Sequence, residues 1–287
     1  FQFLHLNIPL YATGTGPLLV RGVPGCFFVE GPLDISGGSL YGQRFEKGRV
    51  DLTVTEKEVL IKNAVLSKEK SILRGEGAIR YDYDDETYWL ALKGERLRIE
   101  DTEFLHGIPK ALKAGVGLVI SGKGSFEKPA MKCVAVVNDL HYDGFSSARG
   151  TIKADWHDHV VAFSGDFPDK KIEMTGEVQI APLFPFSFEG SFEQFRFDPL
   201  LKTYFPGWLS EAVLSTSGSL RGNGKLSQLS LVNLSGQLTE LSADFGEYQI
   251  QNDGPLVIQA REGAFFFQNA QLKGGNTALV LNGGFTL

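Results

Sequence analysis

The chain repeats a passage of about one hundred residues, and this repeat constrains the fold more than any other feature. The segment from Gly48 to Leu66 recurs from Gly254 to Leu272, a shift of 206 residues. Half of that shift predicts a further copy near residue 151, where a weaker match begins at Gly150. Self-similarity at a fixed period indicates a repeat architecture in which similar units stack on one another.

The repeat divides the chain into half a module followed by two whole ones. We predict the tail half of a preceding module over residues 1–47, repeat modules over 48–149 and 150–253, and the start of a further module over 254–287. Repeat arrays need capping units, and neither end of this sequence resembles one. We therefore expect the chain to be a fragment of a longer protein.

Short antiparallel strands are the secondary structure that the sequence favours. Apolar and polar residues alternate with a period of two, as at Val50, Leu52 and Val54, and this period indicates strands with one apolar face. The 34 glycines and 22 phenylalanines suit strands joined by tight turns better than helices. We predict an all-β fold, an elongated antiparallel β-sheet solenoid.

One short helix is predicted in each module, within a segment rich in Leu and Pro. These segments are Phe104–Leu112 and Leu200–Leu209. Asp198 and Pro199 suit the N-cap and the first helical position of the second helix, and Pro109 and Pro206 would end the two helices. Helices this few cannot cover the sheet, so it either closes over its own side chains or leaves an open trough.

Composition and charge exclude several functions. The formal charge is −6 with both signs interleaved, which argues against a nucleic-acid partner because phosphate binding needs a basic patch. No apolar run approaches the roughly 18 residues that span a bilayer, so any membrane attachment is expected outside this segment. One module would separate Cys26 from Cys133 by far more than a disulfide allows, which predicts two free cysteines.

The sequence carries no convincing catalytic or metal-binding constellation, so we predict no enzyme, no metal and no cofactor. His157 and His159 share a strand face but have no third ligand cluster nearby, which favours a solvated edge over a metal site. Ser67 and Lys70 match a Ser-x-x-Lys pattern without the motifs that accompany it in hydrolases.

Turn and patterning motifs carry a family resemblance. They comprise Ser217–Leu220, Leu234–Leu241, Tyr248–Leu256, Gln268–Thr277 and Leu281–Phe285. In their order and spacing these motifs resemble the TamB branch of the AsmA-like bacterial envelope proteins, and the resemblance covers essentially the whole chain.

The resemblance implies a β-taco, which is a long curved sheet with a hydrophobic concave groove. Such proteins are anchored in the inner membrane of Gram-negative bacteria, cross the periplasm and are implicated in moving phospholipid to the outer membrane. A TamB-like protein also pairs with an outer-membrane β-barrel partner. The expected function is phospholipid transport between the two membranes, with acyl chains lying in the groove.

Two alternatives to lipid transport remain open at this stage. The sheet edges could receive strands of outer-membrane proteins or of the barrel partner, which would make the chain an assembly scaffold or chaperone. A polysaccharide-active or adhesive solenoid is the third reading. For the lipid conduit, the predicted groove-lining residues are Leu52, Val54, Ile61, Leu90, Leu92, Leu97, Ile99, Phe186, Phe188, Phe195, Phe197, Phe265, Phe267, Leu279 and Leu281.

Overall fold

A computed structural model describes residues 10–23, 26–40, 42–81, 86–102, 112–142, 145–198, 213–226, 232–246, 248–261 and 264–286. Contacts divide the chain into two compact units. Unit 1 comprises Phe1–Val137 with Asp155–Asp158, and unit 2 comprises Asn138–Ala154 with His159–Leu287. Within the described ranges, no helix is both long enough and apolar enough to cross a bilayer.

Unit 1 is an antiparallel sheet. Its strands are β1 (Leu10–Thr15), β2 (Leu19–Val23), β3 (Cys26–Leu40), β4 (Gln43–Phe45), β5 (Lys47–Thr55), β6 (Glu58–Lys68), β7 (Ser71–Tyr81), β8 (Glu86–Arg98) and β9 (Lys113–Ser125). The long strand β3 pairs with β1, β2, β4 and β5, and from β5 to β9 each strand pairs with the next along the chain. Two further strands, β10 (Ala130–Tyr142) and β11 (Phe145–His157), contain residues of each unit.

Unit 2 is likewise an antiparallel sheet. Its strands are β12 (Val160–Phe167), β13 (Ile172–Gln179), β14 (Pro185–Arg196), β15 (Val213–Lys225), β16 (Asn233–Asp244), β17 (Gln249–Asn252), β18 (Leu256–Arg261), β19 (Ala264–Gly274) and β20 (Thr277–Thr286). Strands β12 to β16 pair in chain order, β17 and β18 both lie between β16 and β19, and β19 pairs with β20. The prediction of an all-β, antiparallel fold is therefore confirmed.

The predicted helices lie outside the described residues, because residues 103–111 and 199–212 belong to the gaps. Two short 3₁₀ turns are described, Ile99–Asp101 after β8 and Pro168–Lys170 after β12. Ile99, one of the predicted groove-lining residues, belongs to the first turn, because strand β8 ends at Arg98.

Strands β8 and β14 carry the same bulge near their ends. In β8 the register shifts between Gly94 and Leu97, and Arg96 has a φ of 55°. In β14 it shifts between Phe192 and Phe195, and Gln194 has a φ of 48°. A residue other than glycine rarely adopts this left-handed conformation, so the surrounding ladder must hold it in place.

A carboxylate lies just beyond each bulge and ties two strands together. Glu100 is 3.1 Å from the Arg98 guanidinium and accepts the Ala114 amide at 3.3 Å. The second copy is more deeply buried: Asp198 is only 2% exposed. We call these arrangements the Glu100 clamp and the Asp198 clamp.

The Asp198 clamp has the fuller set of hydrogen bonds. The guanidinium of Arg196 donates to both oxygens of Asp198, at 3.1 and 2.9 Å. The Leu214 amide donates to the same carboxylate at 3.4 Å. Leu214 belongs to a small buried cluster with Ala243, against which Phe197 and Ile250 pack.

Candidate apolar binding face

In unit 1, the strand register gathers aliphatic side chains and glycines on one face. Leu52 lies opposite Gly31 of β3, and Leu90 lies opposite Gly77 of β7 and Gly122 of β9. Directly opposed residues share a face, and the alternation along each strand extends that face from β3 to β9. We call it the aliphatic face, and its side chains are Val29, Leu33, Leu52, Val54, Val59, Ile61, Leu66, Leu73, Ile79, Tyr88, Leu90, Leu92, Leu97, Leu118 and Ile120.

In unit 2, the same construction uses many more phenylalanines. Phe188 lies opposite Gly176 of β13 and Gly222 of β15, and Phe163 lies opposite Gly176 on its other side. We call this surface the aromatic face. Its side chains are Val161, Phe163, Phe167, Ile172, Met174, Val178, Phe186, Phe188, Phe192, Phe195, Leu220, Leu234, Leu238, Leu256, Ile258 and Phe267.

The aromatic rings contact one another as well as the sheet. Phe186 and Phe188 stack with their centroids 6.2 Å apart, and Phe192 meets Phe195 edge-on at 6.2 Å. Phe195 also contacts Phe145 of β11 at 5.7 Å. Lys170 lies over the Phe145 ring, with Nζ 5.9 Å from the centroid, so a cation borders this end of the aromatic cluster.

Polar and charged residues dominate the opposite face of both sheets. In unit 1, Glu58 and Arg80 are cross-strand partners and form an ion pair of 2.8 Å. In unit 2, Glu173, Glu177 and Glu189 alternate with the apolar residues of β13 and β14. Each sheet therefore has one apolar and one largely polar side.

Neither apolar face forms a deep core. Leu256, at 3% exposed, and Val59, at 6%, are among the few large side chains of the two faces that are fully buried. Most of the others are half-buried, and Ile61 is 36% exposed. A compact sandwich would cover such residues completely, so these faces retain accessible apolar surface.

The structure brings most of the predicted groove-lining residues onto these two faces. Leu52, Val54, Ile61, Leu90, Leu92 and Leu97 lie on the aliphatic face. Phe186, Phe188, Phe195 and Phe267 lie on the aromatic face. Their role as lipid contacts stays a prediction.

The remaining predicted residues are placed differently. Ile99 belongs to a 3₁₀ turn, and Phe197 follows β14 and packs against the Leu214 cluster. Leu279 lies on β20 opposite Leu272 and is 50% exposed. The side chains of Phe265 and Leu281 lie outside the described part of the structure, although their backbones belong to β19 and β20.

The sequence patterns missed the glycines that lie beneath the large side chains. A methyl group added at Gly75 would overlap Cδ2 of Leu92, and one added at Gly222 would overlap the ring of Phe188. Each large side chain thus rests on the bare backbone of the neighbouring strand. The two residues of each pair lie on neighbouring strands, 17 and 34 positions apart along the chain, so only the register could have revealed them.

The structure places His157, His159 and Ser67, which are candidate metal-binding and catalytic residues, at or beside strand ends. Among the described residues, no group of three or more His, Cys, Asp or Glu side chains is arranged to hold a metal. His157 is 63% exposed, with Nε2 2.7 Å from Asp155, and His159 is also exposed. Ser67 hydrogen-bonds the Lys47 carbonyl at 3.5 Å, as a strand-end hydroxyl does.

The pKa values of Cys133 and Asp169 are shifted by their surroundings. Partial burial raises the pKa of the Cys133 thiol, while Cys26 is exposed, and both thiols are free. Burial would raise the pKa of Asp169, but hydrogen bonds from Ser147 Oγ (2.6 Å) and the Ala148 amide (2.9 Å) outweigh it and lower the pKa. Both shifts reflect packing and hydrogen bonding.

Comparison with known proteins identifies no relative. The chain matches no protein-family model, and no curated protein or solved structure is significantly similar to it. The assignment of a function therefore depends on the geometry of the two faces and on the sequence motifs.

Proposed function

We propose that this chain is part of a periplasmic, AsmA-like protein of the TamB branch that carries phospholipid between the inner and outer membranes. In this proposal the aliphatic face and the aromatic face each line a hydrophobic groove and contact acyl chains. The protein would be anchored in the inner membrane by a segment outside this sequence. The observation that carries the proposal is the uncharged, half-buried apolar face of each sheet.

The size of each face suits a hydrocarbon chain. Neighbouring strands lie ~4.8 Å apart, so the six strands of the aliphatic face extend about 24 Å and the seven strands of the aromatic face about 29 Å. One leaflet of a bilayer contributes about half of its ~30 Å hydrocarbon thickness. Either face can therefore accommodate an acyl chain lying across its strands.

The energetics favour an apolar occupant without a fixed binding position. Removing a methylene from water contributes about 0.8 kcal/mol, and this contribution does not depend on direction. A surface without charged groups offers similar contacts at each step along its length. A chain could therefore shift along such a face without losing a specific hydrogen bond, as transport requires.

Site-specific photo-crosslinking in cells tests the proposal directly. A photoreactive amino acid replaces Leu92 or Phe188 on the apolar faces, within the full-length parent protein. Lys93 and Glu189 provide matched controls, because each is the next residue of the same strand and lies on the opposite face. We expect phospholipid adducts, identified by mass spectrometry, at Leu92 and Phe188 but not at Lys93 or Glu189.

Other outcomes separate the alternatives. Adducts to outer-membrane proteins along a strand edge, without lipid at Leu92 or Phe188, would favour the assembly scaffold. Equal lipid capture at all four positions would indicate contact with a membrane surface. The absence of lipid at both apolar positions would show that the proposed function is wrong.

A further inference from the structure

Two glycines of unit 2 lie directly beneath phenylalanine rings. A methyl group on Gly222 would overlap Cε1 of Phe188 and come within 2.7 Å of its Cζ. A methyl group on Gly150 would overlap Cδ1 and Cε1 of Phe167. Both glycines are buried, so the rings rest on their backbones and take the place of the missing side chains.

Backbone conformation does not explain these glycines. Gly275, at a turn, has a φ of 56° and open space around its Cα, so its backbone conformation accounts for the residue type. Gly150 and Gly222 lie within strands and are not among the glycines with positive φ. Any residue could adopt their backbone conformation, and the ring above each one is what excludes a side chain.

The rings have little freedom to yield. A phenylalanine side chain has two rotatable bonds and a rigid ring, whereas the end of a leucine can rotate away from a new methyl group. Phe188 is also stacked on Phe186 at 6.2 Å, and Gly222 has Leu234 on its other side, 2.8 Å from an added methyl. An alanine at Gly222 would therefore lift the Phe188 ring away from the sheet and into the space above the aromatic face.

We infer that Gly150 and Gly222 are positioning residues that let the rings of Phe167 and Phe188 lie close to the sheet and so leave room above the aromatic face for an acyl chain. This inference rests on the proposed function, since it concerns the lipid contact of that same face. Because the glycines have no side chain, they create the space above the face, and that space decides whether a hydrocarbon chain can lie there. The rings supply the contact surface.

The test uses the 287-residue chain and liposomes of phosphatidylethanolamine and phosphatidylglycerol. A photoreactive residue at Phe186 reports on the aromatic face, and one at Leu90 reports on the aliphatic face. We expect Gly222→Ala to lower lipid capture at Phe186 about tenfold, the change that ~1.4 kcal/mol of binding free energy produces. Capture at Leu90 should not change.

A compensating substitution separates clearance from stability. In the double variant Gly222→Ala/Phe188→Leu, the smaller and more flexible side chain makes room for the new methyl, so we expect capture at Phe186 to recover. Gly117→Ala is the control, because a methyl at Gly117 has no atom within 4 Å. Thermal unfolding of each variant is recorded in parallel.

Each outcome has a defined meaning. Unchanged capture in Gly222→Ala overturns the inference. So does an equal loss at Phe186 and Leu90, or a loss that the double variant does not restore, because these results indicate a purely structural glycine. If the unsubstituted chain captures lipid at neither reporter, the proposed function itself fails, and the inference falls with it.

Discussion

The two units use one backbone design with different side chains. Each has a bulge, a carboxylate clamp just beyond it and an apolar face in which large residues rest on glycines. Unit 1 covers Gly75 with Leu92, whereas unit 2 covers Gly222 with Phe188. The clamps differ as well, because Glu100 is only partly covered and Asp198 is buried. The comparison indicates that this arrangement needs a large side chain over each glycine and a carboxylate at the clamp. The large side chain can be either aliphatic or aromatic.

A charged substitution on each apolar face is the strongest test of whether the two faces bind lipid in the same way. We expect Leu90→Asp and Phe188→Glu each to lower lipid capture at the neighbouring face position by about tenfold or more, because an unpaired carboxylate is poorly tolerated beside hydrocarbon. Liposome crosslinking measures the effect. Ala91→Asp and Ser187→Glu place the same charges on the opposite face and should leave capture unchanged. Loss in one unit alone would show that only one face binds lipid.

The clamps should differ in strength. Asp198→Ala leaves the Leu214 amide without its carboxylate partner in a buried setting, so we expect a loss of about 3 kcal/mol in unfolding free energy. Glu100→Ala acts at a more exposed site and should cost about 1 kcal/mol. Urea unfolding measures both losses, and hydrogen exchange at the Leu214 and Ala114 amides localises them. Equal losses would contradict the stated role of burial.

Glycine substitutions compare the two kinds of covering side chain. Gly222→Ala should destabilise the chain by ~1–3 kcal/mol, because a rigid ring and Leu234 both crowd the new methyl. Gly75→Ala should change stability by less than about 0.5 kcal/mol. There the end of Leu92 can turn aside, and the reduced entropy of the unfolded chain offsets part of the strain. A larger loss of stability in Gly75→Ala than in Gly222→Ala would contradict this explanation.

The smallest effects concern two exposed carboxyl groups. A hydrogen bond and ion pair with Lys93 lower the pKa of Glu95 in unit 1, and hydrogen bonds from Ser147 and the Ala148 amide lower that of Asp169 in unit 2 against the effect of burial. A lowered folded-state pKa means that the stabilisation is present above the unfolded-state pKa and is lost as pH falls through the folded-state value. We expect Lys93→Ala and Ser147→Ala to raise the respective pKa values in an NMR titration. If the pKa values do not change, these contacts are not the cause of the shifts.

The sequence predicted the antiparallel strands and much of both faces, because alternation is a local signal. Leu90 and Leu92, or Phe186 and Phe188, can be assigned to one side of a strand without knowing its partners. The glycine beneath each ring could not be found in this way, since Gly222 and Phe188 are 34 positions apart and meet only through the register. Long-range pairing, and not residue preference, determines that contact.

The sequence did not predict the clamps, for a different reason. The sequence indicated Asp198 only as a helix N-cap, and no pattern singled out Glu100. The bulge before each clamp shifts the alternation by one residue, so the pattern could not indicate where the carboxylates point. The pattern likewise did not indicate that strand β8 ends at Arg98 and that Ile99 begins a 3₁₀ turn.

The clamps also have a consequence for how such a chain can vary. Their hydrogen bonds connect residues 14 positions apart in unit 1 and 16 positions apart in unit 2, so each bond joins the two ends of the intervening stretch of chain. Two extra residues between ends that are already joined add only on the order of 0.1 kcal/mol of entropy cost. Evolution or a protein engineer can therefore lengthen either intervening stretch, or exchange its sequence, while the strands on both sides keep their alignment.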